Sequence, residues 1–126
     1  MTRKAIVPPG VKSVGPYSAG IDAEGLVFLS GQTPLDPATG KLAEGGIGAQ
    51  TEQCFKNLFA VLAAGNLGPG DVVKVTVFLT NMTDFAAMNE VYKNQFSEPY
   101  PARSTIGVAA LPLGAAVEIE FIARRR

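Results

Sequence analysis

The nine residues Asp71 to Leu79, Asp-Val-Val-Lys-Val-Thr-Val-Phe-Leu, constrain the fold more than any other stretch. Val73, Val75, Val77 and Leu79 share one face and Lys74 and Thr76 the other, the period-two pattern of a strand with one apolar side. That side needs a cover, and the flanking segments supply one. Upstream, Cys54, Phe55, Leu58, Val61 and Leu62 recur at three- and four-residue spacing and predict a helix from about Gly48 to Ala64. Gly65-Asn66 ends it with residues that accept left-handed geometry, and Gly68-Pro69-Gly70 forces a loop. Downstream, Asn81-Met82-Thr83-Asp84 signals a second helix, with Thr83 as the expected cap and Asp84 near the positive end of the dipole. Its stripe is Phe85, Met88, Val91, Tyr92 and Phe96, and it ends before Pro99.

The remaining segments read as strands and turns. Lys4–Val7 is a short strand closed by Pro8-Pro9-Gly10, and Ser13 to Gly20 is a loop with hydroxyl side chains beside glycine. Ile21 to Ser30 is a hairpin turning at Glu24-Gly25, and its second strand, with four successive apolar residues, is expected to be buried on both faces. Gly31 to Gly40 is irregular and rich in turn residues. Pro101 to Ala123 predicts two paired strands joined by a turn at Leu111 to Ala115. The expected architecture is α+β: one domain over residues 1–126, a two-layer sandwich with two helices on one face of a mixed six-stranded sheet. The uncovered face calls for burial by oligomerisation.

Composition narrows the chemistry. Eleven basic and eleven acidic residues cancel, which argues against nucleic acid or an anionic membrane as partner. Arg124-Arg125-Arg126 reads as a solvated basic tip. A single cysteine, Cys54, leaves no intramolecular disulfide and is expected in the core. Without histidine there are no usual zinc clusters, so no metal is expected, and no Ser-His-Asp or Cys-His catalysis. Acid–base work falls to Glu, Asp, Tyr, Lys, a held water or the backbone. The first twenty residues hold no apolar run, so no signal peptide is expected, nor any membrane span, and a cytoplasmic location is the default.

Arg103 is the sharpest candidate residue. It either pairs with a glutamate or forks on a small carboxylate, a geometry that lysine cannot reproduce. Glu118 and Glu120 lie two apart on the last strand and point to one face. They are either a solvated face or, if one is desolvated, a base toward water. Tyr17 and Ser30 sit in or beside loops, Gly31 lets the backbone approach a ligand, and Asn89 lies within the second helix.

Four segments take the reading further: Pro16-Tyr17-Ser18, Ser30 to Gly40, Phe78 to Phe85, and Pro101-Ala102-Arg103-Ser104 with Val117-Glu118-Ile119-Glu120. In this order they closely resemble the Rid family of reactive intermediate deaminases, once called the translation-inhibitor endoribonuclease-like family. The resemblance covers nearly the whole chain. It implies a chorismate-mutase-like fold, a homotrimer with clefts between neighbouring subunits, and hydrolysis of 2-imino acids such as 2-iminopropanoate and 2-iminobutanoate to 2-oxo acids and ammonia, without cofactor or metal. By position, it assigns Arg103 to the substrate carboxylate, Glu118 to water, Tyr17, Ser30 and the Gly31 backbone to the cleft lining, and Asn89 to its mouth. Two positions depart from the pattern: Thr105 stands where many members carry cysteine, a replacement that serves if the contact is the backbone carbonyl and not if it is the thiol, and Gly107 stands where glutamate is common. Two rival activities share these residues: a cleft that binds a small carboxylate without turnover, and an RNA-directed activity.

Overall fold

The computed structural model describes residues 3–11 and 15–126, so Ser13 and Val14 of the expected loop lie outside the described residues. Eight strands and two α-helices follow one another: β1 (Lys4–Ile6), β2 (Gly20–Ala23), β3 (Leu26–Gln32), β4 (Leu35–Asp36), β5 (Lys41–Leu42), α1 (Ile47–Ala64), β6 (Val72–Leu79), α2 (Phe85–Tyr92), β7 (Ala102–Gly107) and β8 (Val117–Arg124). Six strands form one mixed sheet in the order β1-β2-β3-β8-β6-β7, and β4 and β5 form a small separate ribbon. All neighbours in the sheet are antiparallel except β6 and β7, which run parallel with α2 as the crossover. The α+β fold with two helices and a six-stranded sheet is the one expected from the pattern.

Both helices pack on one face of the sheet. Cys54, Phe55, Leu58, Val61 and Leu62 of α1 are buried against Val27, Leu29, Val75, Val77, Leu79, Val117, Ile119, Phe121 and Ala123. No side chain caps the start of α1, so packing rather than capping holds it. Each such Val, Leu or Phe contributes about 1.5–3 kcal/mol when fully removed from water. The Phe55 ring is the hub, 5.7–5.9 Å from the rings of Phe59, Tyr92, Phe96 and Phe121. Along β8 the alternation is unbroken: Val117, Ile119, Phe121 and Ala123 are buried, and Glu118, Glu120 and Ile122 face the other way. No helix among the described residues is long and apolar enough to cross a membrane.

The structure corrects several local expectations. The register of β6 shifts between Val72 and Lys74, so Val72 is buried and Val73 is 43% exposed, the reverse of simple alternation. On β3 only Val27 and Leu29 are buried; Leu26 and Phe28 are 45% and 44% exposed on the open face, so this strand is not buried on both sides. Asn81, not Thr83, caps the turn before α2: its Oδ1 accepts from the Thr83 N–H at 3.0 Å. At the end of α1, Asn66 alone takes the left-handed conformation, with φ of 58°. The basic tip is partly tied down. Arg125 donates to Asp22 at 2.9 Å and to the Gly65 carbonyl at 2.7 Å, and Arg126 pairs with Asp71 at 3.1 Å. The Gly25 N–H and then Arg125 hold the Asp22 carboxyl below its usual range.

The largest correction concerns the last two strands. They do not pair with each other, because β6 lies between them. Arg103 on β7 is level with Val75, and Thr105 with Val77, so both stand on the helix-covered face. Glu118 is level with Phe78, and Glu120 with Thr76, on the open face. A sheet separates Arg103 from both glutamates, and the intrachain salt bridge is excluded.

Candidate functional site

The candidate residues form two groups, one on each face. The first is built around Arg103 at the outer strand of the sheet. Its Nη1 donates to Asn89 Oδ1 at 2.6 Å, and its guanidinium lies 4.5 Å from the Tyr92 ring centroid and 5.4 Å from that of Phe85. Asn89, Tyr92 and Phe85 all come from α2, whose parallel crossover into β7 brings the helix over the arginine. The cation–π contacts and the short hydrogen bond fix the plane of the fork. No carboxylate among the described residues pairs with it. The arrangement therefore presents an oriented cation with donors to spare.

Tyr92 is a residue that the pattern concealed. It sits on the apolar stripe, and its ring does pack edge-on against Phe55 in the core. Its other partner is Arg103, and its hydroxyl is buried without a hydrogen bond. Burial pushes the Tyr92 phenol up, opposed by the nearby guanidinium. The signal available in the sequence was a hydroxyl-bearing ring on a stripe otherwise suited to phenylalanine. Thr105, on the same face of β7 as Arg103, also has a buried hydroxyl without a partner. Folded chains leave few buried polar atoms in this state, so the two together set this face of β7 apart from the rest of the core. Gly107, the other departure from the family pattern, faces Met82, whose Cγ would lie 3.1 Å from an added Cβ. Any side chain there requires Met82 to move.

The second group lies on the open face, where β3 loses register against β8 between Leu29 and Gln32. This irregularity contains Ser30 and Gly31. Ser30 is held twice, its N–H on the Ala19 carbonyl at 2.9 Å and its hydroxyl on the Ser18 carbonyl at 2.6 Å. The second bond ties the Tyr17 loop to β3, and Tyr17 itself is exposed beside it. Helix α1 steadies the exit of β3: the Cys54 thiol donates to the Gln32 carbonyl at 3.2 Å, and Asn57 donates to the Thr33 and Leu35 carbonyls at 3.3 and 2.9 Å. Burial raises the Cys54 thiol strongly, with the Glu118 charge adding to it, so this cysteine is a packed core group.

Glu118 lies directly over Gly31. A Cβ at that position would meet the Glu118 carboxylate, with Cδ at 3.0 Å and Cγ at 3.3 Å. Only glycine leaves room for the acid in this place. Partial burial, and then the charge of Glu120 two residues on, raise the Glu118 carboxyl above the ordinary glutamate range. A half-buried acid with a raised pKa beside open backbone is suited to taking a proton from water. Glu120 itself lines a cavity of about 310 Å³ with Ser18, Ser30, Phe28 and Ile122. Among the described residues no three His, Cys, Asp or Glu side chains are grouped so as to hold a metal ion.

Within one chain, then, Asn89, Arg103 and Thr105 lie on the helix side, and Ser30, Gly31 and Glu118 on the open side, with Tyr17 tied to them. The family model described as Endoribonuclease L-PSP matches residues 8–125. The chain is 50% identical over 126 residues to Protein DfrA of Myxococcus xanthus, covering 98% of this chain and 96% of that one. It is 44% identical to the mouse protein named 2-iminobutanoate/2-iminopropanoate deaminase, over 88% of this chain and 82% of that protein. Among solved structures, Escherichia coli TdcF with bound serine superposes with a TM-score of 0.89 at 39% identity, covering 98% of this chain and all of that one. The chain belongs to the Rid family, the group that the endoribonuclease L-PSP model describes.

Proposed function

We propose that the protein hydrolyses 2-imino acids, 2-iminopropanoate and 2-iminobutanoate among them, to 2-oxo acids and ammonia, in clefts between the subunits of a homotrimer. The observation that carries this reading is the unpaired, stacked Arg103 on one face and the half-buried Glu118 over Gly31 on the other. No single subunit can bring both to one small substrate. A site holding both joins the helix-side edge of one copy to the open face of the next, a head-to-tail contact that closes as a ring. The open face supports such a contact: Leu26, Phe28 and Ile106 are each about half exposed there.

In this site the Arg103 fork takes the substrate carboxylate, and Asn89 and Tyr92 hold the fork in plane. Water, oriented by Glu118 of the neighbouring subunit, attacks C2 of the iminium while the carboxylate takes one of its protons. The resulting carbinolamine receives that proton on nitrogen. As the C–N bond breaks and ammonia leaves, the Glu118 carboxylate takes the hydroxyl proton and passes it to the ammonia, leaving a 2-oxo acid and ammonium ion. The balance is R–C(=NH2+)–COO− + H2O → R–CO–COO− + NH4+. The iminium carbon is already electrophilic, so orientation, a water and a proton route are the main needs. The test is release of ammonia and 2-oxo acid from freshly generated 2-iminopropanoate above the buffer rate. Ligand-dependent thermal stabilisation without such release would support binding alone.

Two predictions arise from this arrangement. Gly31→Ala places a methyl group where the Glu118 carboxylate lies; the acid is at the end of a rotatable side chain, so it swings aside and the fold survives. A displacement of about 1 Å costs on the order of 100-fold in rate, to be read as kcat beside an unchanged circular dichroism spectrum. The shared site is tested by mixing two disabled proteins. Arg103→Ala and Glu118→Gln subunits, co-expressed in equal amounts, regain activity because about a quarter of head-to-tail sites join an unaltered arginine to an unaltered glutamate. A mixture no more active than its components would mean that the two groups do not share a site.

A further inference from the structure

Beside Arg103, on its own subunit, lies an open cavity of about 370 Å³ lined by Asn89, Tyr92, Lys93, Tyr100, Pro101 and Arg103. Its walls are largely carbon. Tyr100 is 47% exposed yet held, its hydroxyl donating to the Lys93 carbonyl at 3.3 Å, so the ring is tethered to the end of α2. Pro99 and Pro101 on either side restrict the backbone that carries it. The Lys93 ammonium is engaged by Glu90 at 2.6 Å, which neutralises the charge at the rim. What remains is an apolar recess next to the guanidinium, of the kind that accepts a small-molecule side chain.

The shape of the substrate connects this recess to the reaction. C2 of a 2-imino acid is planar, with the carboxylate, the imine nitrogen and the side chain in one plane. Attack by water comes from above or below that plane. With the carboxylate on Arg103 and water on the Glu118 side, the two in-plane directions left are for nitrogen and side chain. Only apolar groups gain by entering a recess walled by Tyr92, Tyr100 and Pro101. A methyl group fills little of it.

We infer that this recess seats the substrate side chain and that Tyr100 selects 2-imino acids with large apolar or aromatic side chains, those formed from leucine or phenylalanine, over the alanine-derived one. The inference rests on the imine-hydrolysis reading and refines its substrate class. It is tested by generating imines from alanine, leucine and phenylalanine with an amino-acid oxidase and measuring kcat/KM for wild type, Tyr100→Phe and Tyr100→Ala. A single methylene in such a pocket is worth roughly 10–200-fold, so the leucine and phenylalanine imines are expected at least about tenfold above 2-iminopropanoate. Tyr100→Ala should collapse that ratio, and Tyr100→Phe should keep most of it. A wild type that prefers 2-iminopropanoate, or a Tyr100→Ala loss equal for all three imines, would overturn the inference while leaving hydrolysis standing. Binding of pyruvate, 4-methyl-2-oxopentanoate and phenylpyruvate, read as thermal shifts, separates the two ideas. Size-graded binding that depends on Tyr100, with no turnover of any imine, keeps the recess and removes the hydrolysis reading. Binding insensitive to size removes the recess.

Discussion

Arg103→Ala is expected to lower kcat/KM for 2-iminopropanoate by two to three decades, about 3–4 kcal/mol of transition-state stabilisation. The reason is geometric as well as electrostatic. The guanidinium stands 4.5 Å over the Tyr92 ring and 2.6 Å from Asn89, so its free donors are already oriented when a carboxylate arrives. Arg103→Lys keeps the charge but loses both the fork and much of the stacking, and an intermediate rate is expected. Arg103 has no ion pair to lose among the described residues, so the stability at stake is that of its hydrogen bond to Asn89 and its stacking on Tyr92 and Phe85, and both variants should fold and melt only modestly below the wild type. Equal rates for wild type and Arg103→Ala, both above the buffer rate, would sink the anchoring role.

Glu118→Gln should remove roughly 10²–10⁴ of the rate, since the amide matches the carboxylate in shape but cannot take a proton from water. The pH profile carries a second signature. Burial, then Glu120, raise the Glu118 carboxyl, so the limb on which activity rises with pH should centre above the ordinary glutamate value. Glu120→Gln removes the like charge and should move that limb down. Stability should respond with the opposite sense. A carboxyl with a raised folded pKa favours the native state while protonated, below its unfolded value, and loses that contribution as pH rises through the folded value. At neutral pH the native chain therefore carries an unfavourable charge, and Glu118→Gln should melt no lower than the wild type while losing activity. A lower melting temperature would mark Glu118 as a structural residue. Thermal scans beside the rate profile decide this.

Much of the fold could be read from pattern, because both helices and most of the sheet carry period-3.6 and period-two stripes. What escaped was non-local or out of phase. Which strand lies beside which depends on contacts far apart in sequence, so the insertion of β6 between β7 and β8 left no mark near Arg103 or Glu118. With the order wrong, the two residues looked like neighbours. The shifts at Val72–Lys74 and at Ser30–Gly31 broke the alternation that inference relied on. Tyr92 escaped because one ring serves both core and arginine. The residue types of the candidate site were nonetheless visible: an arginine at a strand entrance, a glutamate on an outward position, a glycine after a serine.

The unbroken alternation of β8 has a cost for how this chain can vary. Buried Val117, Ile119 and Phe121 are interleaved with outward Glu118 and Glu120, so the strand belongs at once to the interior and to the candidate site. Substitutions can be accepted on either side independently, but changes in length cannot. Loss or gain of one residue within β8 would slide the carboxylates under the helices and turn Phe121 outward, destroying core and site together. Insertions are therefore confined to the loops on either side, and descendants of this sequence can diversify in loop length and recess lining while the final strand keeps its count.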